Sequence, residues 1–412
     1  MKIGLLTQEY HTGQDWNGGV GQAFGKIANW MAENGHEVTV YVQGRPAGEF
    51  VERPGLRVVR MMPKPRIHWR LRPHIPRLPP LIRGWIWHYE INSALSERIL
   101  DDYRNGVIEV LLANRGVTAP SLMIRRRLPT VVRVQHSMPW ALRVERVRVS
   151  SLDRLLHLME WWAIRRAGRV YAPSRLVGSY KGKSVGREIP AVPTPMFTLH
   201  ESRKWENIKS TYRLPDEYLL FWGGLLYCKG VDTLTAALTT FLEQDDRHAF
   251  VFIGSQKYQN EQHDLIRHNI ERLTREHPGR VMLFPSLEHP VLLSIIHHCR
   301  AAVLPSAFDN LPNTVLEAMY LGRVTVATRG ASIDEIIEDG REGMLVPIGD
   351  PQALAREMLR AARLDDATRA AMGQAAEAKV RRVCDPSAVM PRIVELCREA
   401  IETFQCYERR SL

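Results

Sequence analysis

Three residue patterns are missing from this 412-residue chain, and each absence closes off a class of protein. No apolar run reaches the ~20 residues that span a bilayer. Met1-Lys2 leads straight into the short apolar stretch Ile3 to Thr7, too short for the core of a signal peptide. Cysteine is scarce, with five residues at 228, 299, 384, 397 and 406 and no Cys-x-x-Cys pair. An odd, scattered set argues for reduced thiols in a cytoplasmic setting rather than for disulfides or structural zinc. No Asp-x-Asp triplet occurs, and His263, His268 and the pair His297-His298 lack metal-site spacing, so neither a metal nor a cofactor is expected. Internal repeats and low-complexity stretches are absent too.

What is present is the composition of a soluble globular protein, 45% hydrophobic and 25% charged, at a length that suits two domains. The net charge of +11 is uneven. Residues 1–200 carry 30 Lys and Arg against 15 Asp and Glu, whereas the remainder carries 26 against 30. The first half is therefore expected to face an anionic partner, with a membrane surface and nucleic acid as the candidates.

Strand and helix patterns alternate along the chain. Lys2 to Thr7 reads as a strand and Gly18-Gly19-Val20-Gly21 as a glycine loop. Val20, Phe24, Ile27 and Met31 then fall at the spacing of a buried helix face, ended by Asn34-Gly35 before a second strand at Glu37 to Val42. Further strands are expected at Val107 to Leu112, Thr130 to Gln135 and Arg169 to Ala172, with a long helix near Leu152 to Arg166. A second alternating array begins at Tyr218 and continues through Ala249 to Gly254, Val281 to Phe284, Ala301 to Leu304 and Val324 to Ala327. The stretch between them carries Pro190, Pro193, Pro195 and Pro215 with little periodicity and reads as a linker. The reading is α/β: two doubly wound Rossmann-like domains at 1–190 and 216–384, a linker at 191–215, and a helical tail at 385–412.

The densest chemistry lies in Ser306 to Glu335. An apolar strand closes at Pro305-Ser306, and the turn residues Asp309, Asn310, Leu311, Pro312 and Asn313 lead into a helix that Asn313 or Thr314 can cap. Unpaired N–H groups at a helix start, with the helix dipole behind them, suit a diphosphate. Glu317 is read as lying on the first turn, where its carboxylate can accept two hydrogen bonds from a ribose diol.

Asp309, then Leu316-Glu317-Ala318-Met319, Gly322 and the strand Val324 to Ala327 resemble the donor-binding signature of glycosyltransferase family 4, retaining enzymes of the GT-B fold. Gly223 to Gly230 resembles the family element Gly-Arg-Leu-x-x-x-Lys-Gly, with Lys229 in place but Gly224 where the family has Arg. The missing guanidinium removes a bidentate phosphate contact. Asp309 stands where Glu is usual, one methylene shorter.

The resemblance implies a transferase that moves a sugar from a nucleoside diphosphate sugar to an acceptor hydroxyl, with two domains facing a central cleft and the last helix crossing back to the first. It implies catalytic roles for His136, Lys229, Asp309 and Glu317. It implies donor contacts at Gly18, Gly19, Gly224, Ser255, Asn310, Leu311, Pro312, Asn313 and Thr314. An inverting enzyme with His136 as base, and a catalytically weak nucleotide-binding partner protein, are the alternatives. The signature argues against nucleic acid. Residues 60–89 mix seven Arg and Lys with Trp69, Trp85 and Trp87 and no acidic side chain. This composition suits an anionic membrane surface, placing the protein in the cytoplasm and at the inner membrane face to meet a lipid-linked or anionic acceptor.

Overall fold

Apolar runs without polar alternation are what a strand covered on both faces requires. Tyr-Leu-Leu-Phe-Trp at 218–222 and Ala-Phe-Val-Phe-Ile at 249–253 are buried at every position. The computed structural model describes residues 1–7, 10, 19–44, 46–62, 72–114, 127–134, 142–201, 204–255 and 261–411. They form two compact units. One comprises the described residues of Met1–Pro139, Val149–Pro195 and Pro386–Leu412, the other those of Trp140–Arg148 and Met196–Asp385.

In the first unit, strands β1 (Lys2–Leu6), β2 (Glu37–Gln43), β3 (Gly48–Arg53), β4 (Leu56–Met61), β5 (Val110–Asn114), β6 (Thr130–Arg133) and β7 (Arg169–Tyr171) line up as β3-β4-β2-β1-β5-β6-β7. All neighbours are parallel except β3, an exposed edge strand antiparallel to β4. Helix α1 (Gly19–Glu33) returns the chain from β1 to β2, with Phe24, Ile27 and Met31 buried as their spacing predicts. It stops before Gly35, whose φ of 79° is the left-handed conformation that glycine tolerates.

Helix α2 (Pro80–Arg104) starts inside the basic, tryptophan-bearing stretch 60–89, with Pro80 at its first turn where no N–H is needed. Of that stretch, residues 63–71 lie outside the described residues, and Arg72–Arg77 is a short 3-10 turn. Helices α3 (Ser151–Arg166) and α4 (Arg175–Val185) follow. Ser150 and Asp153 form a capping box at the start of α3. Lys181 of α4 meets Glu160 of α3 at 3.2 Å, both side chains buried, and His157 stands 3.4 Å from the same carboxylate.

In the second unit, β8 (Tyr218–Trp222), β9 (Ala249–Ile253), β10 (Val281–Phe284), β11 (Ala301–Leu304), β12 (Val324–Thr328) and β13 (Met344–Val346) form an all-parallel sheet in the order β10-β9-β8-β11-β12-β13. The order reverses between β8 and β11, as it does between β1 and β5 in the first unit. At such a switch the loops leaving the carboxyl ends diverge and leave a crevice. The helices of this unit are α5 (Trp205–Tyr212), α6 (Val231–Gln244), α7 (Glu261–Glu276), α8 (His289–His298), α9 (Asn313–Tyr320), α10 (Pro351–Ala362) and α11 (Asp366–Val383). Helix α5 lies within residues 191–215, the stretch read as linker. The last helix, α12 (Pro386–Ser411), packs against β5, β6 and β7 of the first unit, where Glu399 holds Arg169 at 2.7 Å.

A buried ion pair is most informative when half of it is removed. Lys181→Met should destabilise the protein by about 3 kcal/mol, because Glu160 keeps a buried charge after losing its ammonium partner. Guanidinium unfolding of the variant against wild type measures the loss.

Candidate functional site

The loops after β8 and β11 meet at the reversal in the second sheet, and two glycines permit the approach. A Cβ on Gly230 would lie 1.9 Å from the Pro305 carbonyl oxygen, and one on Gly254 would lie 1.8 Å from that of Gly223. The Phe308 N–H donates to the Cys228 carbonyl at 3.0 Å, joining the two loops directly. Lys229, on the 3-10 turn Tyr227–Lys229, forms an ion pair with Asp309. Asp309 also accepts from Ser306 Oγ at 3.3 Å and from the Asn310 N–H at 2.9 Å. Lys229 and Asp309, 80 residues apart in sequence, are thus closed on each other.

Burial disfavours the Lys229 charge, but Asp309 beside it, with Cys228 and Glu145 close by, outweighs burial and raises its pKa above the ordinary 10.5. A lysine raised in this way stabilises the fold fully at neutral pH. That contribution is lost as pH climbs through the raised value. Burial pushes the neighbouring Cys228 thiol far above the ordinary thiol range, only partly opposed by Lys229. It remains a thiol at neutral pH.

Helix α9 begins with Pro312 as its N-cap residue and no side-chain cap. Asn313 and Thr314, expected as caps, instead open the helix, because the proline already holds the extended conformation of a cap. The N-cap residue itself therefore offers no side chain to the first turn. Leu311 leads in at a φ of 50°, and its N–H donates to Ser332 Oγ at 2.6 Å. Ala331 and Ser332 also have positive φ, 50° and 61°, so three non-glycine residues in the left-handed region gather at this helix start.

Glu317 lies on the second turn of α9, not the first, and is buried. One carboxylate oxygen accepts from Trp222 Nε1 at 3.0 Å, and the other lies 3.0 Å from His289 Nε2 at the start of α8. Each oxygen keeps a second lone pair for another donor. Sequence reasoning missed Trp222 and His289. The indole looked like one more apolar strand residue, and the imidazole lies 28 residues from its partner.

A further missed residue is Glu145. Together with Arg146 it belongs to the second unit, although it lies in sequence between two stretches of the first. Its buried carboxylate accepts the backbone N–H groups of Tyr227 at 3.2 Å and Cys228 at 2.7 Å, and meets His263 Nε2 at 2.7 Å. His263, on α7 as expected of a helical residue, is therefore half of a buried pair. Arg146, at a φ of 55°, stacks 4.1 Å over the Tyr227 ring and pairs with Asp232 at 3.3 Å. Glu145 and Arg146 thus fix the backbone that carries Lys229.

The remaining expected residues are placed as follows. Gly224 is half-buried in the loop after β8, and Ser255 follows β9 exposed, its carbonyl accepting the Leu225 N–H at 3.1 Å. Asn310 lies in the turn before α9. Gly19 is the first residue of α1. Gly18 and His136 lie outside the described residues. No described helix is long and apolar enough to cross a membrane.

Two doubly wound sheets, one all-parallel and the other parallel except at its edge strand, with the Lys229–Asp309 pair and the start of α9 at the reversal of the second, define a Rossmann-like architecture. The profile described as glycosyl transferases group 1 matches residues 216–363, and that of the glycosyl transferase 4-like domain matches residues 18–193. A sucrose-phosphate synthase from Thermosynechococcus elongatus superposes with a TM-score of 0.75 at 17% identity, covering 96% of this chain and 98% of that one. HepE from Anabaena, solved with UDP and glucose, gives 0.71 at 17% identity over 96% and 98%. The fold is GT-B. A glycogen synthase of Mycobacterium tuberculosis is 26% identical over 206 residues, 50% of this chain and 48% of that protein, so the match spans about half of the relative's length. Each half of the chain thus matches a glycosyltransferase domain profile, on a GT-B fold.

Two substitutions test the Glu145 clamp. Glu145→Ala leaves two amides and a buried imidazole without their acceptor and should cost about 3 kcal/mol. Glu145→Gln retains an accepting oxygen and should cost about 1 kcal/mol. Urea unfolding of both variants gives the comparison, and an undisturbed Glu145→Ala would mean that water replaces the carboxylate. Separately, the stability lost in Lys229→Met should be constant from neutral pH upward and shrink above about 10.5. Paired denaturation curves at stepped pH measure it.

Proposed function

We propose that the chain is a retaining glycosyltransferase that moves a sugar from a nucleoside diphosphate sugar to an acceptor hydroxyl, with no metal or cofactor. The observation that carries this reading is the convergence of Lys229, Asp309 and the uncapped start of α9 where the second sheet reverses. A diphosphate gains negative charge as the anomeric bond breaks. The Lys229 ammonium and the first-turn amides of α9 are preorganised donors for that charge, worth most in the transition state. Glu317, held by Trp222 and His289, offers its remaining lone pairs to a ribose diol. In the retaining mechanism that the family resemblance implies, the departing phosphate takes the acceptor proton on the same face, and no separate base is required. UDP-sugars are the first donors to try, since HepE was solved with UDP and glucose. The basic excess in residues 1–200 supports an anionic or lipid-linked acceptor.

Thermal-shift screening of a nucleotide-sugar panel identifies the donor, and proton NMR of the product reads its anomeric configuration. Inversion would replace the retaining assignment with one that needs a base such as His136. Nucleotide binding without turnover would make the chain a binding partner only. Glu317→Gln should weaken donor binding by about 2 kcal/mol in calorimetric titration, the scale of a hydrogen bond to a charged group. Gly224→Arg asks whether the missing cation limits the enzyme. Gly224 has no positive φ, and an added Cβ meets only Leu226 side-chain atoms, the nearest at 2.9 Å. Donor affinity or rate should therefore rise. A fall in both would mean that the loop is packed for glycine and that another cation serves the phosphate.

A further inference from the structure

Helices α3 and α4 cover the same face of the first sheet. Ile164 of α3 and Val177 and Val185 of α4 share one buried cluster with Val132, Val134 and Val170 of the strands. Their opposite faces therefore both point away from the sheet, on neighbouring helices. Glu160 and Lys181 lock the two together, and Trp161 Nε1 donates to the Ser184 carbonyl at 2.7 Å at the end of α4.

The outward stripe of α3 follows helical spacing through Arg154, Leu158, Trp162 and Arg165, all exposed. The Arg166 guanidinium lies 4.2 Å from the Trp162 ring centroid, so a cation and an indole form one unit there. The outward face of α4 carries Leu176 and Tyr180 between Arg175 and Lys183. Leu158 is 50% exposed, Trp162 38%, Leu176 45% and Tyr180 48%. Among the described residues, no acidic side chain of either helix is exposed. Asp153 is engaged in the capping box and Glu160 is buried against Lys181. Both carboxylates have been taken out of the outward surface.

We propose that this α3–α4 face docks on an anionic lipid bilayer. Exposed apolar residues scattered singly need no explanation. Here two leucines, a tryptophan and a tyrosine sit among cations on helices locked by a buried ion pair, and neither helix exposes an acidic side chain among the described residues. Aromatic rings with one polar edge settle at the headgroup level, and arginine stems lie along apolar surface while their heads reach phosphate. Basic residues near an anionic leaflet add about 1 kcal/mol each. A nucleic acid would satisfy the cations but give Leu158 and Leu176 nothing to bury against. The face is built from residues other than the stretch 60–89 singled out in the sequence, and it does not depend on the donor-site reading.

The test uses the full chain and co-sedimentation with vesicles, one set of phosphatidylcholine alone and one with a third of phosphatidylglycerol. Wild type should bind the anionic vesicles and release as salt is raised, because screening weakens exposed charges. Leu158→Glu combined with Trp162→Glu should bind on the order of tenfold more weakly or worse. Arg165→Gln combined with Arg166→Gln, which places no charge in an apolar contact, should weaken binding with a shallower salt dependence. Circular dichroism melting checks that each variant is folded. Binding that persists in both folded double variants would overturn the proposal and point to another part of the chain. It would equally fall if wild type ignored anionic vesicles, or bound single-stranded DNA but not vesicles. Sedimentation needs no turnover, so failure here leaves the transferase reading standing, and loss of that reading leaves this result intact.

Discussion

Everything assembled at the second sheet's reversal depends on two places where main chain touches main chain. The backbone at Gly230 runs against the Pro305 carbonyl, and that at Gly254 against the Gly223 carbonyl, at separations that exclude any side-chain carbon. These contacts set how close the loops after β8, β9 and β11 can lie. With the loops that close, an ammonium on one can neutralise a carboxylate on the other, and the Cys228 carbonyl can take the Phe308 N–H. With one methyl group added, the cation and the helix start would belong to different neighbourhoods.

Rigidity is then added by buried polar groups that hold the residues of the reversal in place. Glu145 spends both carboxylate oxygens on the turn that carries Lys229 and on His263. Ser332, itself in a left-handed conformation, holds the Leu311 amide that introduces α9. Trp222 and His289 fix the two oxygens of Glu317. In each case a buried polar side chain determines where a second group stands, which is the arrangement that preorganised recognition requires.

The sheets were largely legible before folding was considered. Runs such as Tyr218 to Trp222 and Ala301 to Leu304 are too apolar and too short for surface helices, and the spacing of Phe24, Ile27 and Met31 defines a helix face. The β3–β4 pair escaped because β3 is exposed at every position and carries Glu49, Glu52 and Arg53, leaving no apolar alternation to read. Helix α2 escaped because the prolines and arginines preceding it masked its start. In the site, Lys229, Asp309 and Glu317 were recognisable from local order. Their partners were not. Glu145 lies 118 residues from His263 and 82 from Tyr227, and separations of that size leave no trace in a local pattern. Pro312 was read as turn chemistry, whereas its extended ψ of 132° makes it the N-cap, one or two residues before the caps expected at Asn313 or Thr314.

The closed contact between Lys229 and Asp309 has a consequence for selectivity. A lone ammonium in a crevice would gather any small anion from solution. One already compensated by a carboxylate offers a singly charged visitor little net attraction, since each new contact is gained at the expense of an existing one. Only a ligand that brings several negative oxygens, and can draw on the α9 amides as well as the ammonium, outcompetes the resident pair. In the proposed function, the resting neutrality of the two side chains would act as a charge threshold, filtering by valence before any contact with a base or a sugar is made.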